Sequence, residues 1–172
     1  MDSDFLLIQK MKSGDERAID VFVRKYYPQI LRYCRLHIRD CGLAEDMTQE
    51  TFERFFRTFQ NYRHYGKAAN YLYVIAANAC KDYYRRSEEF PMEELPERGD
   101  GGMERLEEAL DVHAALKRLP EECREAAVLF FFQGLRQKEI AAILGIGLPL
   151  VKYRVGRAKM LLQDYLGEEE DI

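Results

Sequence analysis

Apolar residues recur every three to four positions along most of the chain, and nowhere do they alternate over the span that a half-buried strand needs. The pattern therefore predicts helices throughout. A short helix over 4–12 stops at Ser13-Gly14, and a long one runs from Asp15, whose side chain can cap it, to about Ile38. In that long helix Ile19, Phe22, Val23, Tyr26, Ile30, Tyr33 and Cys34 fall near helical spacing, while Pro28 predicts a kink or local break. Asp40-Cys41-Gly42 reads as a turn. A third helix spans roughly 44–59, with Met47, Thr51, Phe55 and Phe59 on one stripe. After a polar loop at 61–67, a fourth covers about 68–86, with Leu72, Ile75, Ala76, Ala79 and Tyr83 facing inward.

From Ser87 the pattern fails: two prolines, three glycines and many acids mark a linker, and helical spacing resumes near Glu104 and runs to Lys117. The stretch 119–166 then reads as three helices divided by glycine breaks. Pro120 suits a first helical turn, and Gly134 can take the left-handed conformation that closes that helix. A short helix over 137–144 carries Ile140, Ala141 and Leu144 on one face. Gly145-Ile146-Gly147 forms a tight turn, and Pro149 sits in the first turn of the last helix. There Val151, Val155, Ala158 and Leu162 point inward. Leu150, Tyr153, Arg154 and Arg157 point elsewhere, flanked by Lys152 and Lys159, with no acid between 152 and 159. Short helix, glycine turn and longer basic helix are the marks of a helix-turn-helix, whose second helix suits a major groove. The reading is an all-α chain of two helical domains, 1–88 and 106–167, joined by a flexible acidic linker at 89–105 and followed by an unstructured acidic tail at 168–172.

Composition narrows the class. An apolar fraction of 47% with 33% charged residues describes a soluble globular protein, and no apolar run approaches the roughly 20 residues of a membrane span. The start, Met1-Asp2-Ser3-Asp4-Phe5, lacks the basic and apolar segments of a signal peptide, so a cytoplasmic location is expected. There the four cysteines should be reduced thiols. A net charge of −4 looks wrong for a nucleic-acid ligand until it is divided. Residues 1–90 balance at +2, 91–110 at −5 and 111–172 at −1, so linker and tail supply most of the acidity. Local faces can still be basic, but so weakly charged a chain should bind DNA poorly alone, which points to a larger basic partner.

Candidate chemistry is sparse. No Gly-rich phosphate loop, nucleophilic triad or paired-carboxylate pocket can be argued from the spacing, so no enzyme, cofactor or small-molecule substrate is expected. Cys34, His37 and Cys41 form C-x2-H-x3-C, which falls short of a complete zinc set, and packing roles are expected. Phe130-Phe131-Phe132 cannot all face one way on a helix, and is expected to divide between core and interface.

Two N-terminal segments exceed what packing needs. On the third helix Asp46, Gln49, Glu50, Glu53 and Arg54 fall largely on an outward face. On the fourth, Asn78, Lys81, Asp82, Arg85 and Arg86 remain exposed beside a loop rich in Tyr and basic residues: Tyr62, Arg63, His64, Tyr65 and Lys67, continuing to Asn70 and Tyr71. Rings interleaved with cations suit single-stranded nucleic acid, which needs stacking platforms and phosphate neutralisation together.

These segments, D-M-T-Q-E-T-F at 46–52 and Y-L-Y-V-I-A-A-N-A-C-K-D-Y-Y-R-R at 71–86, resemble region two of the extracytoplasmic-function sigma factors of bacterial RNA polymerase. L-P-E-E-C-R-E at 119–125, K-E-I-A-A-I-L-G at 138–145 and V-K-Y-R-V-G-R-A-K at 151–159 resemble region four. The resemblance implies promoter-directed transcription initiation with core polymerase, through the coiled coil of its largest subunit and the flap of its second. It implies that Asp46, Gln49, Glu50, Glu53 and Arg54 meet that coiled coil. Asn78, Lys81, Asp82, Arg85 and Arg86 would meet the proximal promoter element, and the 62–70 loop with Tyr71 would capture a flipped base. Lys138, Leu150, Lys152, Tyr153, Arg154, Arg157 and Lys159 would meet the distal element. A cognate anti-sigma factor is a further implied partner, and one phenylalanine ring of 130–132 would help to bind it.

The chain departs from the family pattern at Tyr71, where Trp is usual, and at Pro149-Leu150, where a small residue and Thr are usual. Leu150 cannot donate to a phosphate, and an atypical distal promoter sequence follows. Arg136 stands where a capping Ser or Thr is usual, which predicts a weaker start to the short helix. The alternative is a stand-alone helix-turn-helix regulator with an N-terminal sensing or dimerisation domain.

Overall fold

The computed structural model describes residues 3–63, 67–89 and 112–170, and these are helical with no strand among them. Two compact units divide the chain, Met1–Glu97 and Arg98–Ile172. The expected linker at 89–105 falls almost wholly outside the described residues, as do His64 and Tyr65.

The first unit holds α1 (Ser3–Lys12), α2 (Glu16–His37), α3 (Cys41–Arg57), a 3-10 turn (Phe59–Asn61) and α4 (Ala68–Glu89). Asp15 caps α2 as expected, its carboxylate accepting from the N–H groups of Arg17 at 3.0 Å and Ala18 at 3.3 Å. Pro28 does not break α2, which continues to His37. Pro28 and Arg24, whose carbonyl loses its partner, both lie on the exposed face, where water can bond that carbonyl. Helix α3 starts earlier than its spacing suggests. Asp40 is its cap, accepting from Leu43 N–H at 3.0 Å, so Cys41 and Gly42 belong to the first turn.

Three helices enclose the core. Phe22, Ile30, Tyr33 and Cys34 of α2, Ala44, Thr48, Thr51 and Phe55 of α3, and Leu72 and Ala76 of α4 are all but inaccessible. Met47 lies half-exposed at the edge of the α3 stripe, which is centred on Ala44, Thr48, Thr51 and Phe55. Both threonine hydroxyls are satisfied within the helix, Thr48 donating to Ala44 O at 2.8 Å and Thr51 to Met47 O at 2.7 Å. Phe55 is the hub of the aromatic packing, stacked on Phe22 at 5.1 Å and meeting Phe59, Tyr62 and Tyr71 within 6 Å. Helix α1 is held by a contact its spacing does not reveal: Asp4 is buried, 2.6 Å from Lys25 Nζ and hydrogen-bonded by the Tyr26 hydroxyl.

Cys34 and Cys80 meet across α2 and α4 as free thiols. Cys80 keeps its proton, its pKa raised by the hydrogen bond to Cys34 and by burial. Cys41 is exposed, so the three residues of C-x2-H-x3-C do not converge, and no group of three or more potential ligands occurs among the described residues. A thiol reagent is expected to label Cys41 at once, and Cys34, Cys80 and Cys123 only after denaturant is added. Rapid labelling of a second thiol in the folded protein would contradict this packing.

The second unit holds a helical stretch at 112–118 (α5), α6 (Glu121–Ala127), a π-turn (Val128–Phe132), α7 (Gln137–Leu144) and α8 (Leu148–Glu170). The regular helix expected up to Gly134 instead widens at its end, Gln133 N–H bonding Val128 O at 3.1 Å. Gly134 then closes it at φ 67. Val128 and Leu129 take the core positions, while Phe130 and Phe132 are half-buried and Phe131 is exposed. Three adjacent rings cannot share one face, and the smaller aliphatic residues hold it. Arg124 of the L-P-E-E-C-R-E segment closes α5, its guanidinium donating to Leu116 O at 2.9 Å and Leu119 O at 3.1 Å. Helix α8 continues through most of the tail, to Glu170, against the expectation of an unstructured end. Extending an existing helix costs little, and glutamate is a good helix former. No described helix is long and apolar enough to cross a membrane.

Candidate nucleic-acid interface

Helix α3 turns Asp46, Gln49 and Glu53 to solvent, and Glu50 and Arg54 are half-exposed beside them. Arg54 is less free than its sequence position suggests. Its Nε donates to Glu50 Oε1 at 2.9 Å, and its Nη1 reaches across to Asp82 Oδ2 of α4 at 3.1 Å. The bond to Glu50 first, and then that to Asp82, hold the guanidinium more firmly protonated than usual. On α4, Asn78, Lys81, Arg85 and Arg86 are exposed. Asp82 lies one turn from Asn78 and from Arg86, on the same side of the helix.

The aromatic loop is stacked before any ligand arrives. Tyr62 lies nearly parallel to Tyr71 at 5.1 Å and to Phe59 at 6.4 Å. Tyr62 and Tyr71 are half-buried, Arg63 and Lys67 exposed, and Asn70 half-buried. Lys12, which spacing did not single out, joins them from α1: its Nζ donates to Tyr62 O at 2.5 Å and sits 5.9 Å from the centre of the Phe59 ring. Only the three-dimensional approach of α1 could have revealed it.

In the second unit Gly145, at φ 66, makes the turn that α7 and α8 require. The inward stripe of α8 is Val151, Val155 and Ala158, with Leu162 half-buried, and α7 contributes Ile140 and Ile143, leaving Ala141 and Leu144 at the margin. Arg136 offers no acceptor to α7, but the Glu139 carboxylate accepts from Arg136 N–H at 2.9 Å, so the start is partly secured. Leu150, Lys152, Tyr153, Arg157 and Lys159 are exposed, as is Lys138 on α7. Arg157 donates to the Tyr153 hydroxyl at 3.1 Å. Arg154 departs from the expected face: its side chain is only 14% exposed and lies 3.6 Å from Glu122 of α6.

These surfaces coincide with two family models. Sigma-70 region 2 matches residues 22–89, and Sigma-70, region 4 matches 109–162. The ECF RNA polymerase sigma factor SigM of Mycobacterium tuberculosis is 32% identical, over 96% of this chain and 85% of its own length. The chain belongs to the ECF sigma factors. SigE of Mycolicibacterium smegmatis is 36% identical over 91% of this chain, which spans only 65% of that relative's length. Among solved structures, CnrH in complex with the cytosolic domain of CnrY superposes with a TM-score of 0.82, at 25% identity, covering 97% of this sigma factor and 99% of CnrH. Helix α1 and Lys12 precede the residues matched to region 2, so the loop of this sigma factor is supported from outside that segment.

Proposed function

We propose that this sigma factor docks on core RNA polymerase through the outward face of α3, with Asp46, Gln49, Glu50 and Glu53 as contacts. Helix α4 then meets the proximal promoter element with Asn78, Lys81, Asp82, Arg85 and Arg86, and the 62–70 loop with Tyr71 takes a base from the melted strand. Extruding a base costs a few kcal/mol of stacking, which the Phe59–Tyr62–Tyr71 stack can return. Helix α8 reads the distal element from the major groove through Leu150, Lys152, Tyr153, Arg157 and Lys159, with Lys138 on the adjoining backbone. Arg154 serves instead to fix α8 against α6. Domains 1–88 and 106–167 divide these tasks, 89–105 links them, and the acidic 168–172 segment disfavours DNA binding away from polymerase. The protein acts in the cytoplasm and performs no catalysis of its own. CnrH was solved with a second protein, which supports an anti-sigma partner here.

The observation that carries this reading is that α3 exposes the acids Asp46 and Glu53 while α4, tied to it by the Arg54–Asp82 pair, exposes the bases Lys81, Arg85 and Arg86. A free-standing DNA-binding domain gains nothing from acids beside phosphates, whereas a factor mounted on a basic protein does. Run-off transcription tests it: core polymerase alone should give no specific transcript, and adding this protein should give one. Specific nanomolar binding to duplex without polymerase, and no effect on transcription, would instead indicate a stand-alone regulator. The Lys12→Met change is expected to lower open-complex yield roughly threefold to tenfold without altering core binding, because the Tyr62 carbonyl loses its anchor. Permanganate reactivity of the melted strand provides the measurement.

A further inference from the structure

Arg54 stands among the α3 residues expected to touch polymerase, but two of its donors are already engaged. Nε holds Glu50 at 2.9 Å and Nη1 holds Asp82 at 3.1 Å, leaving the arginine side chain only 26% exposed. Asp82 is the odd group on its face. A bare carboxylate one turn from Asn78 and Arg86 would repel the phosphates those residues should attract. The guanidinium, which Glu50 shares, offsets part of that charge without covering the group, whose side chain stays 38% exposed. Arg54 bonds Oδ2, and among the described residues Oδ1 accepts no hydrogen bond. A carboxylate oxygen held in place, partly offset in charge and on a half-exposed side chain can only accept. In the major groove, cytosine N4 and adenine N6 offer hydrogens, whereas guanine and thymine present acceptors at the corresponding positions.

We propose that Arg54 is a positioning residue that aims Asp82 at the exocyclic amino group of one cytosine or adenine in the proximal promoter element. This inference rests on the sigma-factor reading above. Arg54 works through geometry as much as charge, because one planar fork spans two carboxylates on two helices. Without it, Glu50 and Asp82 lose their shared counter-ion and Asp82 its fixed orientation.

The test is transcription by the reconstituted holoenzyme from a promoter pool randomised across the proximal element, together with core-polymerase affinity by competition. The wild type should favour cytosine or adenine over guanine or thymine at one position by about tenfold. Asp82→Asn, whose amide can also donate, and Arg54→Gln should each reduce that preference below about threefold at the same position. Arg54→Lys, keeping the charge but not the fork, should restore part of it. Core affinity of Arg54→Gln should stay within about threefold of wild type, since Glu50 keeps its charge on the α3 face and loses only a half-exposed ion pair. A tenfold loss of core affinity with an unchanged base profile would make Arg54 a polymerase contact and overturn the proposal. An unchanged profile for Asp82→Asn would overturn it as well. Absence of any promoter-dependent transcript from the wild-type holoenzyme would remove the parent reading, and this inference with it.

Discussion

Replacing Asp46 and Gln49 together with alanine is expected to abolish promoter-directed transcription while leaving the protein folded. Both side chains project from the exposed face of α3, three residues apart and therefore neighbours on the helix. Neither contributes to the core, so the thermal midpoint should barely move; surface substitutions of this kind usually fall within about 0.5 kcal/mol. At an interface the arithmetic differs. A residue at the centre of a docking patch is worth about 2 kcal/mol or more, so losing two should weaken core binding by at least a hundredfold. The promoter-facing residues remain intact, so fork-junction DNA should still cross-link to the variant at high protein concentration. Competition of labelled wild type from core polymerase measures the effect. Normal displacement by the double variant would locate the docking face elsewhere.

Phe55→Ala is expected to do the reverse, removing a large share of the stability of the first unit and the single-stranded DNA binding that depends on it. Phe55 is fully buried, with Phe22, Phe56, Phe59, Tyr62 and Tyr71 around its ring. Deleting a buried phenylalanine ring costs about 3–5 kcal/mol, against the 5–15 kcal/mol that holds a domain folded. The loss also takes the support from under the Tyr62–Tyr71 stack, so single-stranded DNA binding should fail before global unfolding. The second unit has its own core in Leu129, Ile140, Val151 and Ala158, and should retain its denaturation midpoint. Phe131→Ala is the control: that ring is 42% exposed, and its removal should shift stability little. Urea denaturation followed by tyrosine fluorescence and helix signal would distinguish the two variants. A midpoint for Phe55→Ala close to wild type would show that the core can close over the gap.

The helical class, the order of the helices and the turn at Gly145 were legible because each depends on local chemistry. Helical spacing, capping by Asp15 and a glycine at positive φ need only a few neighbouring residues. The errors came where a local rule met a tertiary option. Pro28 predicted a kink or break, but the Arg24 carbonyl that it leaves without a donor lies on the exposed face, and the flanking core positions keep α2 continuous to His37. Asp40-Cys41-Gly42 looked like a turn because glycine disfavours helices, yet the Asp40 cap offsets that cost. The three phenylalanines promised a core ring, and the π-turn gave the core to Val128 and Leu129 instead.

The sequence by itself determined that this protein is a pair of helical modules with the motifs of an ECF sigma factor, since periodicity, caps and motif spacing are properties of contiguous residues. Tertiary structure alone decided which charges are available to a partner. Arg54 is committed to Asp82 and Glu50, Arg154 is drawn in beside Glu122, and Lys12 is brought to the aromatic stack. Apart from Glu50, one helical turn from Arg54, each partner is far away in the chain, and such an ion pair or hydrogen bond forms only where packing of the helices brings its two ends within about 3–4 Å.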